Sequence, residues 1–363
     1  MSVGSRSPEE IRLSARSRLA FDSKGAVRIR TGIWNYEEAI IDFSQEPADV
    51  ADVARRAFAQ LASGGAVDLA VEAGALGPKE RAAVLQLFTQ LQQAGLVETS
   101  PQRDVQDAMV EALLGRRSPL GPRDESAPPA RPLAFLTDNR YCRDRVGALA
   151  SDLSVSLDVV DEGILDTLQQ IDLTTKVDAV ATEAELAGIA ERFRDAAVVV
   201  SCFSQASLVT LRNVNRVLER IQKPGIFGFI DGPFLAVLGI SPPYTGCFEC
   251  FELRSLARLE DHVTYQDFAR SRPAVGDEPA AYGLLGLLLN LTMTEGFLWS
   301  AAGTSRFNGR VLNIYLPSLD IQTQDVLRMP GCPACGQVSR QRLREINMST
   351  RAVIDRVISK ALQ

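Results

Sequence analysis

Histidine is almost missing from this sequence, which contains a single one, His262. The sequence also has no H-E-x-x-H motif, no phosphate-binding P-loop and no Ser-His-Asp pattern. One imidazole cannot build a histidine-rich metal centre, so that kind of site is excluded. Any metal ligands must come from other residue types.

Long hydrophobic runs are missing as well. The nearest one, from Tyr282 to Leu291, is shorter than the about 18 residues of a membrane-spanning helix. Residues 1–10 have no apolar segment of the kind found in secretory signals. Six cysteines without a secretory signal are typical of a reducing compartment. The sequence therefore predicts a cytoplasmic protein that contacts no membrane.

Excess positive charge is absent too. The chain has 39 Lys and Arg residues against 45 Asp and Glu residues, a net charge of -6. Proteins that bind nucleic acids or anionic membranes through general electrostatics are normally basic. We therefore expect no nucleic-acid partner.

Cysteine is where the sequence carries its strongest pattern. Cys247 and Cys250 form one C-x-x-C pair, and Cys332 and Cys335 form a second. Two residues between cysteines let one tight turn present two thiolates to a metal, and zinc prefers four ligands in a tetrahedron. Neighbouring glycines suit such turns. The two pairs together predict a structural zinc site.

Other interpretations of the cysteine pairs explain less. A disulfide or a thioredoxin-like redox motif would use one pair and leave the other unexplained. A catalytic zinc is disfavoured because four thiolates leave no coordination position for water or substrate. We expect the metal to tie a remote C-terminal segment to the body of a domain.

Residues 1–100 predict a winged-helix-like α+β module. Residues 19–21, 26–30 and 36–43 have strand character, and helices are predicted at about residues 50–61, 67–73 and 78–94. The last helix begins at Gly77-Pro78 and stops at Gly95, the proline-first, glycine-last arrangement common in helices.

After a proline-rich linker at residues 101–132, the pattern changes to alternating strands and helices. Apolar strands are predicted at residues 133–136, 155–160, 197–201 and 226–229, with an antiparallel return at 233–240. This alternation is typical of an α/β domain with helices on both faces of a parallel sheet. The domain is assigned to residues 133–340, followed by a C-terminal helix at 341–363.

The segment from Ala197 to Gly336 resembles the ThiF-like fold of ubiquitin-activating enzymes. It has a valine-rich strand, a helix, a strand, a Pro-x-x-x-Gly-Cys-x-x-Cys step, a long helix and a closing C-x-x-C pair. With the N-terminal module in front, the chain is similar to the partner proteins of YcaO-type azoline cyclodehydratases. That resemblance implies a precursor-peptide recognition element at the N-terminus and a role in making thiazole- and oxazole-containing ribosomal peptides.

The chain departs from adenylating members of that fold at the nucleotide site. Those enzymes have a Gly-x-Gly-x-x-Gly loop after the first strand, where glycines let the backbone approach phosphates. Here the position reads Thr137-Asp-Asn-Arg-Tyr-Cys142. Asp161 follows the second strand, and without the loop we interpret it as a helix cap. We expect a degenerate ThiF/Rossmann-like doubly wound sheet that binds no ATP.

The resemblance places peptide binding in the N-terminal module. A strand edge beside an apolar helix can accept an extended peptide. The predicted peptide-binding residues are Tyr36, Glu38, Ile40 and Phe43 on the strand and Arg81, Leu85 and Phe88 on the helix. Two alternatives stay open: the apolar helix residues could belong to the core of the module, and its arginines could lie on a solvated face.

The leading hypothesis is a non-catalytic scaffold that binds a leader peptide and presents the precursor to a YcaO-type enzyme. The alternative is an active ThiF-like adenylating enzyme acting on a peptide or carrier-protein C-terminus. A DNA-binding winged helix is disfavoured by the acidic chain. No catalytic residues are assigned, Cys142 and Cys202 are interpreted as buried small hydrophobes, and a homodimer is left open.

Overall fold

The computed structural model describes residues 10–14, 16–23, 25–34, 37–99, 105–114, 131–174, 179–270 and 279–336. The chain divides into two compact units, residues 1–108 and 109–363. The predicted C-terminal helix at 341–363 lies outside the described residues, as does the proline-rich part of the predicted linker. The domain assignment made from the sequence stays a prediction.

The first unit contains six short strands and three helices in its described part. In chain order they are β1 (Glu10–Leu13), β2 (Ser17–Phe21), β3 (Val27–Thr31), β4 (Glu37–Ile41), α1 (Ala48–Ala62), β5 (Val67–Asp68), α2 (Leu69–Glu72), α3 (Pro78–Gln93) and β6 (Val97–Thr99). Helix α4 (Val105–Leu114) crosses the boundary between the two units.

The six strands form two antiparallel sheets of three, ordered β2-β3-β4 and β5-β1-β6. Strands β1, β5 and β6 were not predicted, and Val67 and Asp68 were wrongly included in a helix. Strands of two to four residues are too short to show a period of two, and β1 pairs with partners far along the chain. Asp68 instead caps α2 by accepting from the N–H of Ala70 at 2.9 Å.

The core of the first unit is formed by its helices and by buried residues of both sheets. The apolar face of α1, which includes Phe58 and Leu61, is buried. The Phe58 ring contacts the rings of Phe43 and Phe88, with centroids 6.2 and 4.9 Å apart. Helix α3 ends as predicted: Gly95 has a φ of 74°, which lets the N–H of Leu96 donate to the carbonyl of Leu91 at 2.9 Å.

The second unit has a mixed α/β architecture. Its strands are β7 (Leu133–Thr137), β8 (Leu157–Val159), β9 (Val198–Phe203), β10 (Gly225–Asp231), β11 (Phe234–Ile240), β12 (Arg310–Tyr315) and β13 (Asp320–Asp325). Its helices are α5 (Arg140–Asp152), α6 (Glu162–Gln170), α7 (Ala179–Arg192), α8 (Leu208–Ile221), α9 (Phe248–Leu256), α10 (His262–Arg270) and α11 (Tyr282–Ala302).

These strands form one seven-stranded sheet ordered β13-β12-β11-β10-β9-β7-β8. Strands β10, β9, β7 and β8 are parallel to one another, whereas β11, β12 and β13 are joined by antiparallel pairings. The predicted antiparallel return after β10 is confirmed by its pairing with β11 along the full strand. Strand β13 and helices α9 and α10 were not predicted, and of α6 only the cap at Asp161 was.

Helices cover both faces of this sheet, as the apolar strands predicted. One core includes side chains of α6, α7, α8 and α9, and the other includes side chains of α4, α5 and α11. In the described part of the chain, one helical stretch, residues 279–302, is long and apolar enough to cross a membrane. The short apolar run noted in the sequence thus belongs to a longer helix. Half of its most apolar window is buried, which is the arrangement of a core helix.

Candidate functional site

The four paired cysteines come together in the second unit. Cys247 immediately precedes α9, Cys250 lies in its first turn, and Cys332 and Cys335 follow β13. Their sulfur atoms all lie within 4.8 Å of one another, and the four residues are buried. The long stretch between the pairs returns along β12, which is antiparallel to β11, and β13, which is antiparallel to β12. The sheet therefore places the second pair beside the first.

The sulfur spacing fits a tetrahedral metal centre. Four sulfurs at about 2.3 Å from one metal lie about 3.8 Å apart. The Sγ atom of Cys247 is 3.9 Å from that of Cys250 and 3.6 Å from that of Cys332, and the Cys250 and Cys335 sulfurs are 3.4 Å apart. A disulfide would need about 2.05 Å. The four cysteines can therefore hold a metal ion, while the geometry itself does not select the element.

Electrostatics also require a cation if all four sulfurs are to be thiolates. Contacts with the sulfurs of Cys250, Cys332 and Cys335, together with burial, raise the pKa of the Cys247 thiol. A bound divalent cation offsets the repulsion among four neighbouring thiolates. Metal binding therefore releases the thiol protons. The N–H of Met329 donates to the Cys250 sulfur at 3.3 Å, which also favours the ionised form there.

Gly246 and Gly336, two of the glycines beside the cysteine pairs, serve a purpose other than the one predicted from sequence. The sequence predicted that they adopt turn conformations closed to other residues. However, Gly246 and Gly336 are not among the described residues with positive φ. A β-carbon at Gly246 would lie 2.3 Å from the carbonyl oxygen of Val326, and one at Gly336 would lie 2.4 Å from that of Pro330. These glycines permit close backbone packing around the site.

A buried ion pair joins the metal-binding helix α9 to α8. Arg216 donates to Glu249 through Nε at 2.6 Å and Nη2 at 2.8 Å, and its Nη1 donates to the carbonyl of Pro333 at 2.9 Å. Glu249 lies between Cys247 and Cys250, and Pro333 lies between Cys332 and Cys335. One guanidinium therefore contacts both C-x-x-C segments. Burial raises the pKa of the Glu249 carboxyl, and the charge of Arg216 opposes that shift.

A second ion pair lies one helical turn away. Arg212 contacts Glu252 through two nitrogens, with Nη2 to Oε1 at 2.5 Å, and the Tyr265 hydroxyl donates to the same carboxylate at 2.6 Å. The hydrogen bonds to Glu252 raise the pKa of Arg212, so the arginine stays charged. Arg328 completes the surroundings by donating to the carbonyls of Pro243 at 2.6 Å and Cys335 at 2.9 Å.

The carboxyl end of the parallel strands is filled by side chains of the chain itself. Asp138 follows β7, and its two carboxylate oxygens accept from the N–H of Ser204 at 2.8 Å and its hydroxyl at 3.0 Å. Burial raises the pKa of the Asp138 carboxyl, against the effect of these hydrogen bonds. Asn139 caps α5 by accepting from the N–H of Tyr141 at 2.8 Å. The segment where a phosphate loop would stand is thus an ordinary helix start.

Asp161 is a helix cap, as predicted. Its carboxylate accepts from the N–H of Ile164 at 3.0 Å at the start of α6. The predicted burial of Cys142 and Cys202 is also confirmed, since both are fully inaccessible. What the sequence did not indicate is that their sulfurs lie 3.7 Å apart.

The predicted peptide-binding residues lie in different settings within the first unit. Phe43 and Phe88 are 5% and 2% exposed and belong to its core. Ile40 and Leu85 are 55% and 38% exposed. Tyr36 lies outside the described residues. The structure therefore assigns packing roles to the two phenylalanines, and peptide binding by this set stays a prediction.

The charged members of that set also differ. Arg81 is exposed on α3. Glu38 accepts from Arg30 at 2.7 Å and from Arg28 at 3.2 Å across the sheet, and these hydrogen bonds lower the pKa of its carboxyl despite some desolvation. Arg28 and Arg30 thus have a carboxylate partner within the sheet.

Comparison with known proteins gives a result at the level of structure. No protein-family model matches the chain, and no curated protein matches it. The heterocyclase TruD aligns with a TM-score of 0.58 at 15% identity, covering 94% of this chain and 45% of that chain. The chain shares the fold of TruD. A heterocyclase in complex with substrate and cofactor gives 0.58 at 13% identity, covering 91% and 40% of the two chains.

The TruD alignment confirms, for the fold, the resemblance drawn from the cysteine pairs and strand order. Since it covers 94% of the chain, it extends to both compact units. E. coli MccB with AMPCPP and MccA gives a TM-score of 0.50 at 13% identity, covering 90% of this chain and all of that one. The chain spans less than half the length of the two heterocyclases it matches.

The residues that support the metal centre of this TruD-like fold were missed from sequence. Glu249 and Glu252 lie within the segment Cys-Phe-Glu-Cys-Phe-Glu. A charged residue between two buried ligands could have indicated a buried ion pair beside the site. Arg212 and Arg216 are four residues apart, the spacing that places both on one face of a helix. Nothing in the sequence indicated which carboxylates they meet.

Proposed function

We propose that this protein is a scaffold subunit that binds the leader of a ribosomal precursor peptide and presents the peptide to a YcaO-type cyclodehydratase. This proposal rests on the fold that the chain shares with the heterocyclase TruD, of which it spans 45%. In the azoline-forming family that the sequence resembles, a ThiF-like domain of this kind docks on a separate YcaO-type enzyme that uses ATP.

The metal of this scaffold is a structural zinc ion held by Cys247, Cys250, Cys332 and Cys335. Four thiolates are the ligand set of structural zinc sites and leave no open coordination position. When bound, the ion supplies folding energy and no reaction chemistry. The chain's own residues do the rest: Arg216 and Glu249 hold the two pairs in register.

Nucleotide chemistry is assigned to the partner enzyme and not to this ThiF-like sheet. A phosphate site at the end of β7 needs backbone N–H groups free to face the phosphates. Here the segment Thr137–Cys142 has no glycine, and the Asp138 carboxylate is engaged by Ser204. An acidic side chain at this place would also repel phosphate.

The peptide is proposed to add as a further strand at the free edge of the first sheet in the winged-helix-like first unit. In the described part of the sheet, β4 pairs with β3 on one side, and no strand pairs with its other side. An edge strand offers main-chain groups to an extended peptide. The exposed Ile40 on β4 and Leu85 on α3 are available for apolar contacts.

Fluorescence polarisation tests this proposal with a labelled leader peptide encoded beside the gene. We expect saturable binding in the micromolar range or tighter for the full-length chain. Ile40→Lys should weaken binding at least tenfold, since it places a charge on the proposed edge. Val71→Lys is the matched control, because Val71 is 72% exposed on α2 and should leave binding unchanged. Absence of binding by the wild-type chain would exclude the scaffold role.

The alternative function is adenylation of a peptide or carrier-protein C-terminus. It is favoured by the match to E. coli MccB with AMPCPP and MccA, which extends over the whole of that chain. Exchange of labelled pyrophosphate into ATP by the isolated protein distinguishes the two functions. The scaffold predicts no exchange above background with or without peptide, whereas sustained exchange would establish the alternative.

A further inference from the structure

Cys142 and Cys202 form a pair of thiols that the metal centre does not use. They stand 60 positions apart in the chain, yet their sulfur atoms are 3.7 Å apart. Both side chains are fully inaccessible and lie in the core on the α5 and α11 side of the sheet. The four metal-binding cysteines belong to the core on the opposite face.

The fold brings these two sulfurs together through neighbouring parallel strands. Cys202 is the residue before the last of β9, and its partner across the sheet is Thr137, the last residue of β7. Cys142 follows in the first turn of α5. The Thr137 hydroxyl donates to the carbonyl of Cys202 at 2.7 Å and accepts from the N–H of Asn139 at 3.2 Å. This hydroxyl fixes the helix start against the end of β9.

The surroundings make Cys142 the sulfur that ionises first. Its thiol pKa is lowered by the hydrogen bond with Cys202 and by Arg145, while burial and the charge of Asp138 oppose the shift. The position in the first turn of a helix acts in the same direction. The hydrogen bond with Cys142 and complete burial raise the pKa of the Cys202 thiol. One thiolate and one thiol in contact can form a disulfide when a two-electron oxidant is supplied.

We propose that Cys142 and Cys202 are a redox modification site, which hydrogen peroxide converts into an intramolecular disulfide. The Cys142 thiolate attacks one peroxide oxygen, the O–O bond breaks, and the other oxygen takes up a proton and leaves as water. The resulting sulfenic acid is attacked by the Cys202 sulfur, which loses its proton as a second water departs. Two thiols are oxidised and one hydrogen peroxide is reduced to two waters.

The movement that this step requires is small. The two sulfurs must approach from 3.7 Å to a bond of about 2.05 Å. Reorientation of the Cys142 side chain in the first turn of α5 can supply it. Access requires opening of that turn, and helix termini open at lower free energy than the core. In a reducing compartment the bond is transient and is reversed by thiol exchange.

The disulfide would join α5 to β9 and close a loop containing β8, α6 and α7. Cross-linking a loop of this length restricts the unfolded chain more than the folded one. Oxidation should therefore raise the melting temperature of the metal-loaded protein by several degrees. This inference does not depend on the proposed function.

Peptide mapping of the full-length, metal-loaded chain after hydrogen peroxide treatment tests the site. Free thiols are alkylated under denaturing conditions, and the metal content is measured in parallel. We expect a chain lighter by two hydrogen atoms, a cross-linked peptide pair containing Cys142 and Cys202, and unchanged metal content. Dithiothreitol should reverse both the cross-link and the rise in melting temperature.

Cys142→Ser and Cys202→Ser should each abolish the cross-link and the thermal gain while keeping the metal. If either variant fails to fold, the wild-type peptide map decides alone. Oxygen adducts at Cys142 without a cross-link would overturn the proposal. So would cross-links confined to the four metal-binding cysteines while Cys142 and Cys202 are both alkylated.

Discussion

Cys332 contributes one of the four sulfurs of the metal site, and all four cysteines are buried. Water therefore cannot easily reach the site to take the place of a lost sulfur ligand. Its sulfur lies 3.6 Å from that of Cys247. The metal-binding energy of a structural site is also folding energy, roughly 10–16 kcal/mol in small zinc domains. Loss of one ligand should remove much of it.

We therefore expect Cys332→Ser to lose the metal and to lower the melting temperature of the second unit by about 10 °C or more. Elemental analysis and calorimetry on the same sample measure both effects. Cys142→Ser is the matched control, because it also changes a buried cysteine but removes no ligand. Folded wild-type protein without any bound metal would contradict the structural zinc site.

Arg216 is predicted to be a positioning residue for the metal. It bonds to Glu249 in the first cysteine pair and to the Pro333 carbonyl in the second. Breaking a buried ion pair costs about 3–5 kcal/mol, because the remaining charge stays buried. Arg216→Ala should therefore destabilise the protein by that amount and speed metal transfer to a chelator at least tenfold.

A stopped-flow chelator assay separates positioning from a general loss of stability. Arg310→Ala is the control, since its ion pair with Asp325 is exposed and worth at most about 1 kcal/mol. Arg216→Lys should restore the stability in part but not the slow metal release, because lysine cannot contact both cysteine pairs at once. Unchanged metal release in Arg216→Ala would refute the positioning role.

Asp138 gives a prediction about pH. Burial raises the pKa of its carboxyl in the folded protein, so the folded state holds that proton more tightly than the unfolded state. Its stabilising contribution is full below the unfolded pKa of about 4 and is lost as the pH rises through the raised folded pKa. Asp138→Asn should therefore gain stability relative to wild type as the pH rises toward 7.

Asp158 provides a control of opposite sign. The hydrogen bond from Arg192 lowers the pKa of its carboxyl, so its contribution is present above about pH 4 and lost as the pH falls. Urea unfolding of Asp138→Asn, Asp158→Asn and wild type between about pH 2 and 8 measures the differences, because the change at Asp158 falls below about pH 4. Metal loss at low pH affects all three proteins alike and cancels. A difference that does not change with pH for Asp138→Asn would contradict the argument.

At the scale of elements, the backbone of helix α11 lies close to the sheet at Gly296. A β-carbon at Gly296 would lie 2.6 Å from Leu133 and 2.7 Å from Val200, whereas one at Gly283 on the same helix would meet nothing within 4 Å. Gly296→Ala should destabilise the protein by about 1–3 kcal/mol through overpacking. Gly283→Ala should be neutral or stabilise it by up to about 1 kcal/mol.

Chemical denaturation of the two glycine variants gives a direct comparison, because both changes add the same methyl group to the same helix. Helix propensity alone predicts a gain at both positions. A stabilised Gly296→Ala variant would mean that α11 does not lie this close to β7 and β9.

The elements that the sequence predicted well are those whose burial leaves a periodic trace. Strands β7, β9 and β10 are continuous apolar runs, and α1 and α3 carry apolar stripes at helical spacing. Strand β13 has six exposed residues, so no burial pattern marked it. Strand β5 has only two residues and exists because β1 pairs with it from a distance. Such elements depend on tertiary pairing and leave no local signal.

At the scale of the molecule, the metal ligands were predictable and their supporting contacts were not. The spacing within each C-x-x-C pair is visible in a short segment of sequence, and two such pairs are compatible with only a few kinds of site. The contact of Arg216 with both pairs depends on how α8 lies against α9, and the contact of Cys142 with Cys202 depends on the order of β7 and β9 in the sheet. Both facts follow from topology, which no single segment encodes.

The division into two compact units predicts a local response to metal removal. The first unit has a hydrophobic core of its own, and the metal centre lies wholly within the second. Chelation should remove the link between α9 and the segment after β13, while the aromatic contacts of Phe58 stay intact. Hydrogen exchange should therefore accelerate at least tenfold in α9 and in residues 326–336, with the amides of α1 unchanged.

The same measurement on Cys332→Ser without chelator should reproduce the pattern, which excludes a side effect of the chelator itself. Re-addition of zinc should restore protection to the chelated wild type and not to the variant. Acceleration in α1 equal to that in α9 would mean that the two units unfold as one, and the metal would then contribute to the stability of the whole chain rather than to its second unit alone.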